Sequence, residues 1–322
     1  MTAPRRTLLA AAAGLAAAPR PGAAEDRYPS RAVRVIVPFA PGGSSDLTAR
    51  FIAGHMEART GQPAVVDNRA GANGVIGTVA VKQAAPDGYT LLLATTTTMS
   101  ANPALLRNLP YDPAKDFTTV GFYASSGAYL LVRPDAPWRD VPALVADAGA
   151  RPGELFFGHF NASSRVPAEV FNALAGVRIQ GVPYRAIGAA FADLLAGRLH
   201  LIFVDTVAGD AWVRDGRLRA LATTRERRLR WRPDLPAMSE SYPEFGMSGF
   251  LGMAAPAGTP RAVCERLNAL CNEAMTTEPA KGKLVELGFE PEAHGLDRIA
   301  ELVEAERGKW AGYVRLAGIE PE

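Results

Sequence analysis

The stretch Val33 to Asp46, VRVIVPFAPGGSSD, constrains the fold of this chain more than any other. Val33, Val35, Ile36 and Val37 form a β-branched run with one Arg, the composition of a strand buried on both faces. Pro38, Pro41 and the adjacent Gly42 and Gly43 cannot continue that strand, so the chain turns. Ser44 and Ser45 follow as candidate caps of a helix beginning near Asp46. A buried strand feeding a helix through a Gly-rich turn predicts an α/β fold. It also gathers backbone N–H groups without helical partners at one point. Such a point suits a carboxylate, a phosphate or a sulfonate, and would serve equally as a plain βα connection. The turn matches neither the G-x-G-x-x-G nor the G-x-x-x-x-G-K-[ST] pattern, which argues against a nucleotide.

A chain of 322 residues has room for two domains. Its 48% hydrophobic and 21% charged residues are those of a soluble globular protein. A formal charge of +2, with no basic stripe interleaved with aromatics, argues against nucleic acid as a partner. Residues 1–24 read as an export signal: Arg5 and Arg6, then an apolar run from Thr7 to Ala18 too short to span a bilayer, then Gly22-Ala23-Ala24 for cleavage. The paired arginines before Thr7-Leu8-Leu9 also fit a twin-arginine signal, so Sec and twin-arginine export both stay open. The expected compartment is the periplasm. Cys264 and Cys271 fall seven apart on one expected helix, roughly 10 Å at 1.5 Å per residue. That is too far for a disulfide, and both read as buried apolar fillers. His55, His159, His200 and His294 show no ligand spacing, so neither a metal nor a cofactor is expected.

Along the chain, short apolar runs alternate with helical patterns, and several runs end in polar turns. Tyr89 to Ala94 reads as a buried strand ending in four hydroxyls, Thr95, Thr96, Thr97 and Thr98. In open α/β sheets ligands sit beyond the carboxyl ends of strands. These threonines are therefore expected to face the same cleft as Gly42-Gly43, though they would also suit a solvated loop. A second α/β unit follows, with strands near Leu155–Gly158, Val177–Val182 and Leu199–Val204 and helices at Pro142–Ala148, Val166–Leu174 and Ala189–Ala196. Its polar turns are His159 to Ser164, Pro183 to Gly188, and Asp205-Thr206. Extended passes near 120–132 and 245–255 join the two units. Thr259 is the expected cap of a helix from Arg261 to Met275, and a final helix spans Leu296 to Leu316.

Taken together, YPSRAVRVIVPFAPGGSSD, GANGVIG, APDGYTLLLATTTT, VPYRAIGAAFADLLAGRLHLIF, GRLRALATT and APAGTP resemble the substrate-binding receptors of tripartite tricarboxylate transporters, the Bug receptor family. The resemblance runs from Tyr28 to about Pro321. It implies a periplasmic binding-protein fold, two α/β lobes joined by a two-strand hinge with a ligand cleft between them. Lobe 1 would comprise 25–124 and 247–322, and lobe 2 would comprise 125–246. It implies capture of a small organic mono- or dicarboxylate by a monomer and delivery to integral-membrane permease subunits. The residues it implies for ligand contact are Phe39, Gly42, Gly43, Ser44, Ser45 and Asp46 in the first turn and Thr95 to Thr98 at the strand end. In the second lobe they are Asn161, Ser163, Ser164, Arg165, Tyr184, Gly188, Ala189 and Asp205.

The second lobe departs from the family pattern. Gly158 to Arg165 lacks the usual glycines, with Arg165 near the position of a family His; Ala186-Ile187-Gly188-Ala189 replaces G-x-G-P; and Val204 precedes Asp205. Arg165 is thus a candidate partner for a second carboxylate, which a guanidinium matches bidentately, and also reads as a solvated arginine at a helix start. Asp46 reads first as a stabiliser of its own helix, and Tyr184 either as packing or as a cleft wall. Two rival classes stay open. A sensor would dock to a signalling membrane partner. An exported hydrolase would need a nucleophile beside a base, and His159 next to Ser163 and Ser164 is the one pairing that offers this. No G-x-S-x-G elbow supports it.

Overall fold

The computed structural model describes residues 28–125, 127–286 and 289–322; the expected export segment lies outside them. The chain opens with β1 (Val33–Val37), α1 (Ser44–Thr60), β2 (Ala64–Asn68), α2 (Val75–Lys82), β3 (Thr90–Thr95), α3 (Asn102–Leu105) and β4 (Phe117–Ser125). It crosses to a second unit with β5 (Ala128–Val132), α4 (Val141–Ala150), β6 (Phe156–His159), α5 (Ala162–Ala175), β7 (Gln180–Pro183), α6 (Ile187–Leu195), β8 (Leu201–Asp205), α7 (Thr206–Arg214) and β9 (Arg219–Thr223). It returns with β10 (Gly249–Pro256), α8 (Arg261–Thr276), α9 (Ala280–Glu286), β11 (Phe289–Glu290) and α10 (Leu296–Leu316).

Two mixed sheets result, one per lobe. The first runs β11-β4-β10-β3-β1-β2 and the second β7-β6-β8-β5-β9. β1 lies between two parallel partners, with Val35 level with Val66 on one side and Leu91 on the other. That central position explains its continuous apolar run, since Val33, Val35, Ile36 and Val37 are all buried. β4 and β5 belong to different sheets, as do β9 and β10, so the chain passes between lobes twice. Thr224 clamps the two passes together. Its hydroxyl accepts from the Ala128 amide at 2.8 Å and donates to the Met247 carbonyl at 2.8 Å.

α8 packs its expected stripe of Val263, Leu267, Leu270 and Ala274 into the first lobe. Cys264 and Cys271 are free and buried in the same cluster, as fillers. α10 behaves differently. Ile299 and Val303, in its first half, join a first-lobe cluster, while Trp310 and Val314 enter the cluster built by α5, β6 and β8 of the second lobe. The helix therefore straddles both lobes.

The local expectations need four corrections. α1, α5 and α6 begin two to four residues earlier than apolar periodicity indicates, so Ser44, Ser45, Ser163, Ser164 and Gly188 are helical rather than in turns. Neither Ser44 nor Ser45 caps α1; Gly43 precedes the helix and gives no side-chain cap. Thr259 does not cap α8, because its hydroxyl donates to Pro256 O at 2.7 Å and Pro260 precedes the helix. Finally, α3, α7, α9 and β11 were not expected at all.

Candidate ligand site between the lobes

Four helices point their N-termini toward the cleft, and they divide into two pairs. α5 and α7 satisfy themselves. Asn161 accepts from the Ser164 amide at 3.0 Å and Ser164 Oγ accepts from the Asn161 amide at 3.2 Å, a reciprocal capping box. Asp205 caps α7 by accepting from the Ala208 amide at 3.0 Å. α1 and α6 have no side-chain cap. The first helical bond of α1 runs from Leu47 N to Gly43 O, so the amides of Ser44, Ser45 and Asp46 precede the ladder. The uncapped ends of α1 and α6 come from opposite lobes and meet: a Cβ added to Gly43 would lie 4.0 Å from Ile187 Cγ2.

The turn before α1 is held by its own network. Gly42, at φ +86°, makes the left-handed step that favours glycine. Its amide donates to Asp46 Oδ2 at 3.0 Å, and Asp46 also pairs with Arg50. Burial opposes the charge on Asp46, but Arg50 and the Gly42 amide outweigh it and hold the carboxyl below its ordinary value. Asn68 donates to Phe39 O at 3.1 Å and accepts from Arg50. Asp46 thus acts within its own turn, and the Gly42 amide is already engaged. Gly74 lets a neighbouring loop press against this corner, since a Cβ there would meet Thr98 Cγ2 at 2.8 Å and Phe39 Cζ at 3.2 Å.

A cavity of about 60 Å³ lies between the lobes. One water needs roughly 10–15 Å³ of such space, so the cavity admits a guest of a few heavy atoms. Of the expected residues, Phe39, Ser44, Ser45, Thr95, Thr96, Thr97, Asn161, Ser163 and Asp205 line it. A smaller adjoining space of about 30 Å³ touches Gly43, Ser44 and Ser45 of α1's start, Ala186 and Ile187 of α6's start, and Asp205 and Arg185. Hydrogen bonds between cavity-lining side chains already span the lobes. Ser44 Oγ donates to Asp205 Oδ2 at 2.9 Å, and the Thr97 and Ser163 hydroxyls meet at 3.3 Å. The lobes are therefore in contact, around a small interior.

Other expected residues lie outside the cavity walls. Thr98 is fully buried and turned back on Thr95, with the two hydroxyls 3.2 Å apart. Ser164 is consumed by the capping box. Arg165 pairs with Glu322 at 2.6 Å, so the structure gives it a partner within the chain. Tyr184 donates to Asp193 at 2.7 Å and walls an outer space with Arg185 and the Gly71–Gly74 loop. Gly188 and Ala189 are exposed in the first turn of α6. The pairing of His159 with a serine is not formed, because Ser163 meets Thr97 and Ser164 meets Asn161. Burial and then Arg165 push the His159 imidazole down to about 4, so it is neutral near pH 7.

Sequence reading missed the cavity floor. Ala128, Thr224, Met247, Ser248 and Phe250 line it from the two interlobe passes, and Trp310 lines it from α10. The passes themselves were legible, and any strand that crosses between lobes has to run beneath the cleft they enclose. Thr96, though it lines the cavity, ties β3 to β10. Its hydroxyl accepts from Phe250 N at 2.7 Å and donates to Phe250 O at 3.1 Å. Asp205 has both carboxyl oxygens engaged. Burial pushes its carboxyl above the ordinary value, while the hydrogen bonds from Ala208 and Ser44 pull the other way.

Comparison with known proteins gives this geometry a family. Residues 48–319 match the tripartite tricarboxylate transporter family receptor. The chain belongs to that family. It is 35% identical to protein BugT of Bordetella pertussis, over 91% of each chain. The fold is that of R. palustris Rpa4515 solved with adipate, at TM-score 0.88 and 33% identity over 92% of this chain and all of that one. MatC from Rhodopseudomonas palustris, solved with bound malate, superposes at TM-score 0.83 and 31% identity over 89% of this receptor and 100% of MatC. The two lobes expected from the receptor resemblance are thus those of its solved relatives. Among the described residues, no helix is long and apolar enough to cross a membrane.

Proposed function

We propose that this receptor works in the periplasm, closing around a small organic carboxylate and delivering it to the membrane permease subunits of a tripartite transporter, with no chemical change to the guest. The observation that carries the reading is the meeting of two uncapped helix N-termini, α1 from one lobe and α6 from the other, beside a cavity of a few heavy atoms. Helix N-termini favour negative charge by about 0.3–1 kcal/mol each, and more where partly buried. Each charge-assisted hydrogen bond to a carboxylate contributes about 1.5–3 kcal/mol. The guest's carboxylate is placed at the Ser44 and Ser45 end of α1. Contacts to Asn161, Ser163 and the start of α6 exist only when the lobes are together, so the guest favours closure by its differential affinity for that state. A few such bonds, less ordering costs, correspond to micromolar binding, about −8 kcal/mol. The adipate and malate bound in the two solved relatives support a carboxylate.

Titration calorimetry of the mature chain against a broad panel of mono- and dicarboxylates tests this. Saturable binding of at least one acid, with thermal stabilisation, is expected. A folded protein that binds none of them overturns the proposal.

A further inference from the structure

The space between the two helix ends continues outward. The inner space of about 30 Å³ between the starts of α1 and α6 and an outer space of about 440 Å³ share Phe39, Ala40, Phe160 and Arg185 in their walls. These four residues, two from each lobe, therefore border the passage from one space to the other. Tyr184 and the loop from Gly71 to Gly74 wall the outer space further. That loop is pinned in place. Asn73 donates to Asn102 Oδ1 at 2.7 Å, and Asn102 donates back to Asn73 O at 3.1 Å.

Arg185 is the one cationic side chain among the residues lining these two spaces and the interlobe cavity. It is exposed, and among the described residues it has neither a hydrogen bond nor an ion pair. The groups around it are engaged elsewhere. Tyr184 donates to Asp193, Arg165 pairs with Glu322, and Asp205 accepts from Ala208 and Ser44. Arg185 also stands just before Ala186, the residue that precedes α6, so its charge adds to the positive end of that helix. A guest whose first carboxylate lies at the Ser44 and Ser45 end of α1 fills the inner cavity within a few heavy atoms. The rest of a longer acid has the passage past Arg185 as its way out. A second carboxylate there meets an unpaired guanidinium, whose fork matches it bidentately.

We propose that Arg185 is a specificity-determining residue and that the passage it borders with Phe39 and Phe160 is the subsite for the far end of the guest. The receptor then selects dicarboxylates long enough to reach from α1 to that passage over monocarboxylates of the same length. Dicarboxylates too short to reach it keep both charges in the inner cavity and bind less well. This rests on the carboxylate-receptor reading above.

The test is calorimetry of the mature chain with unbranched α,ω-dicarboxylates from oxalate to pimelate, each beside the monocarboxylate of the same carbon number. The wild type is expected to bind its best dicarboxylate at least about tenfold more tightly than the matched monocarboxylate, and more tightly than oxalate. Arg185→Gln keeps much of the side chain's length and removes the charge, and should shrink the dicarboxylate-to-monocarboxylate ratio about tenfold. Arg185→Lys keeps the charge without the fork, and should retain more of the ratio than Arg185→Gln. Equal or tighter binding of monocarboxylates by the wild type overturns the inference while the receptor reading stands. So does an unchanged ratio in a folded Arg185→Gln, or a ratio in Arg185→Lys no larger than in Arg185→Gln. Absence of binding by every acid overturns both.

Discussion

Gly42 and Gly43 are neighbours with different reasons to be glycine. Gly42 occupies a left-handed conformation, so any Cβ there is strained whatever the space around it. Gly43, at φ −88°, is in a conformation open to any residue, and the one atom near its missing Cβ is Ile187 Cγ2 across the cleft. The physical expectation for Gly43→Val follows. The melting temperature of the free receptor should change little, while affinity falls at least about tenfold, because the branched side chain props α1 away from α6. Thermal unfolding with and without guest checks it, and unchanged affinity would show that the two helix ends need not approach. Asp205, by contrast, carries cap, interlobe contact and cavity wall on one carboxyl, so its substitutions should move stability and guest affinity together.

At the scale of elements, the helix starts decide what the site is. Asn161→Ala removes the cap of α5 and should cost about 0.5–2 kcal/mol of stability. Urea denaturation should show this as a lower midpoint with unchanged slope; a loss under a few tenths of a kcal/mol would mean that water replaces the amide. The same starts mark where sequence reading stopped. β1, β3 and the stripes of α8 and α10 were legible because burial writes a period into the residues. Ser44, Ser45, Ser163 and Ser164 were placed in turns because a first helical turn facing a cleft carries polar residues and no buried stripe. α7 was missed for a related reason. Gly209 and Asp210 interrupt its pattern, although Asp205 at its head is an ordinary cap and signals a helix start. The partners of Arg165 and Asp46 were beyond reach, since a guanidinium's choice between a guest and Glu322 depends on where a distant segment of chain comes to lie.

For the molecule as a whole, the two crossing passes and α10 form the connection between lobes. Trp310 and Val314 are seated among second-lobe residues, and Tyr313 donates to Gly246 O at 2.6 Å, just ahead of the second pass. Trp310→Ala should cost about 3–5 kcal/mol as a buried aromatic. It should also enlarge the guest-free receptor in small-angle scattering, with weaker guest binding. A lower melting temperature with an unaltered scattering curve would restrict Trp310 to packing. A helix anchored in both interiors behaves like a leaf spring laid across a clasp. Parting the jaws to release cargo means either flexing that rod or wetting the greasy contacts at its far end. The ease with which a guest escapes is therefore set partly by the far half of α10, whose Trp310 and Val314 are seated in the second lobe.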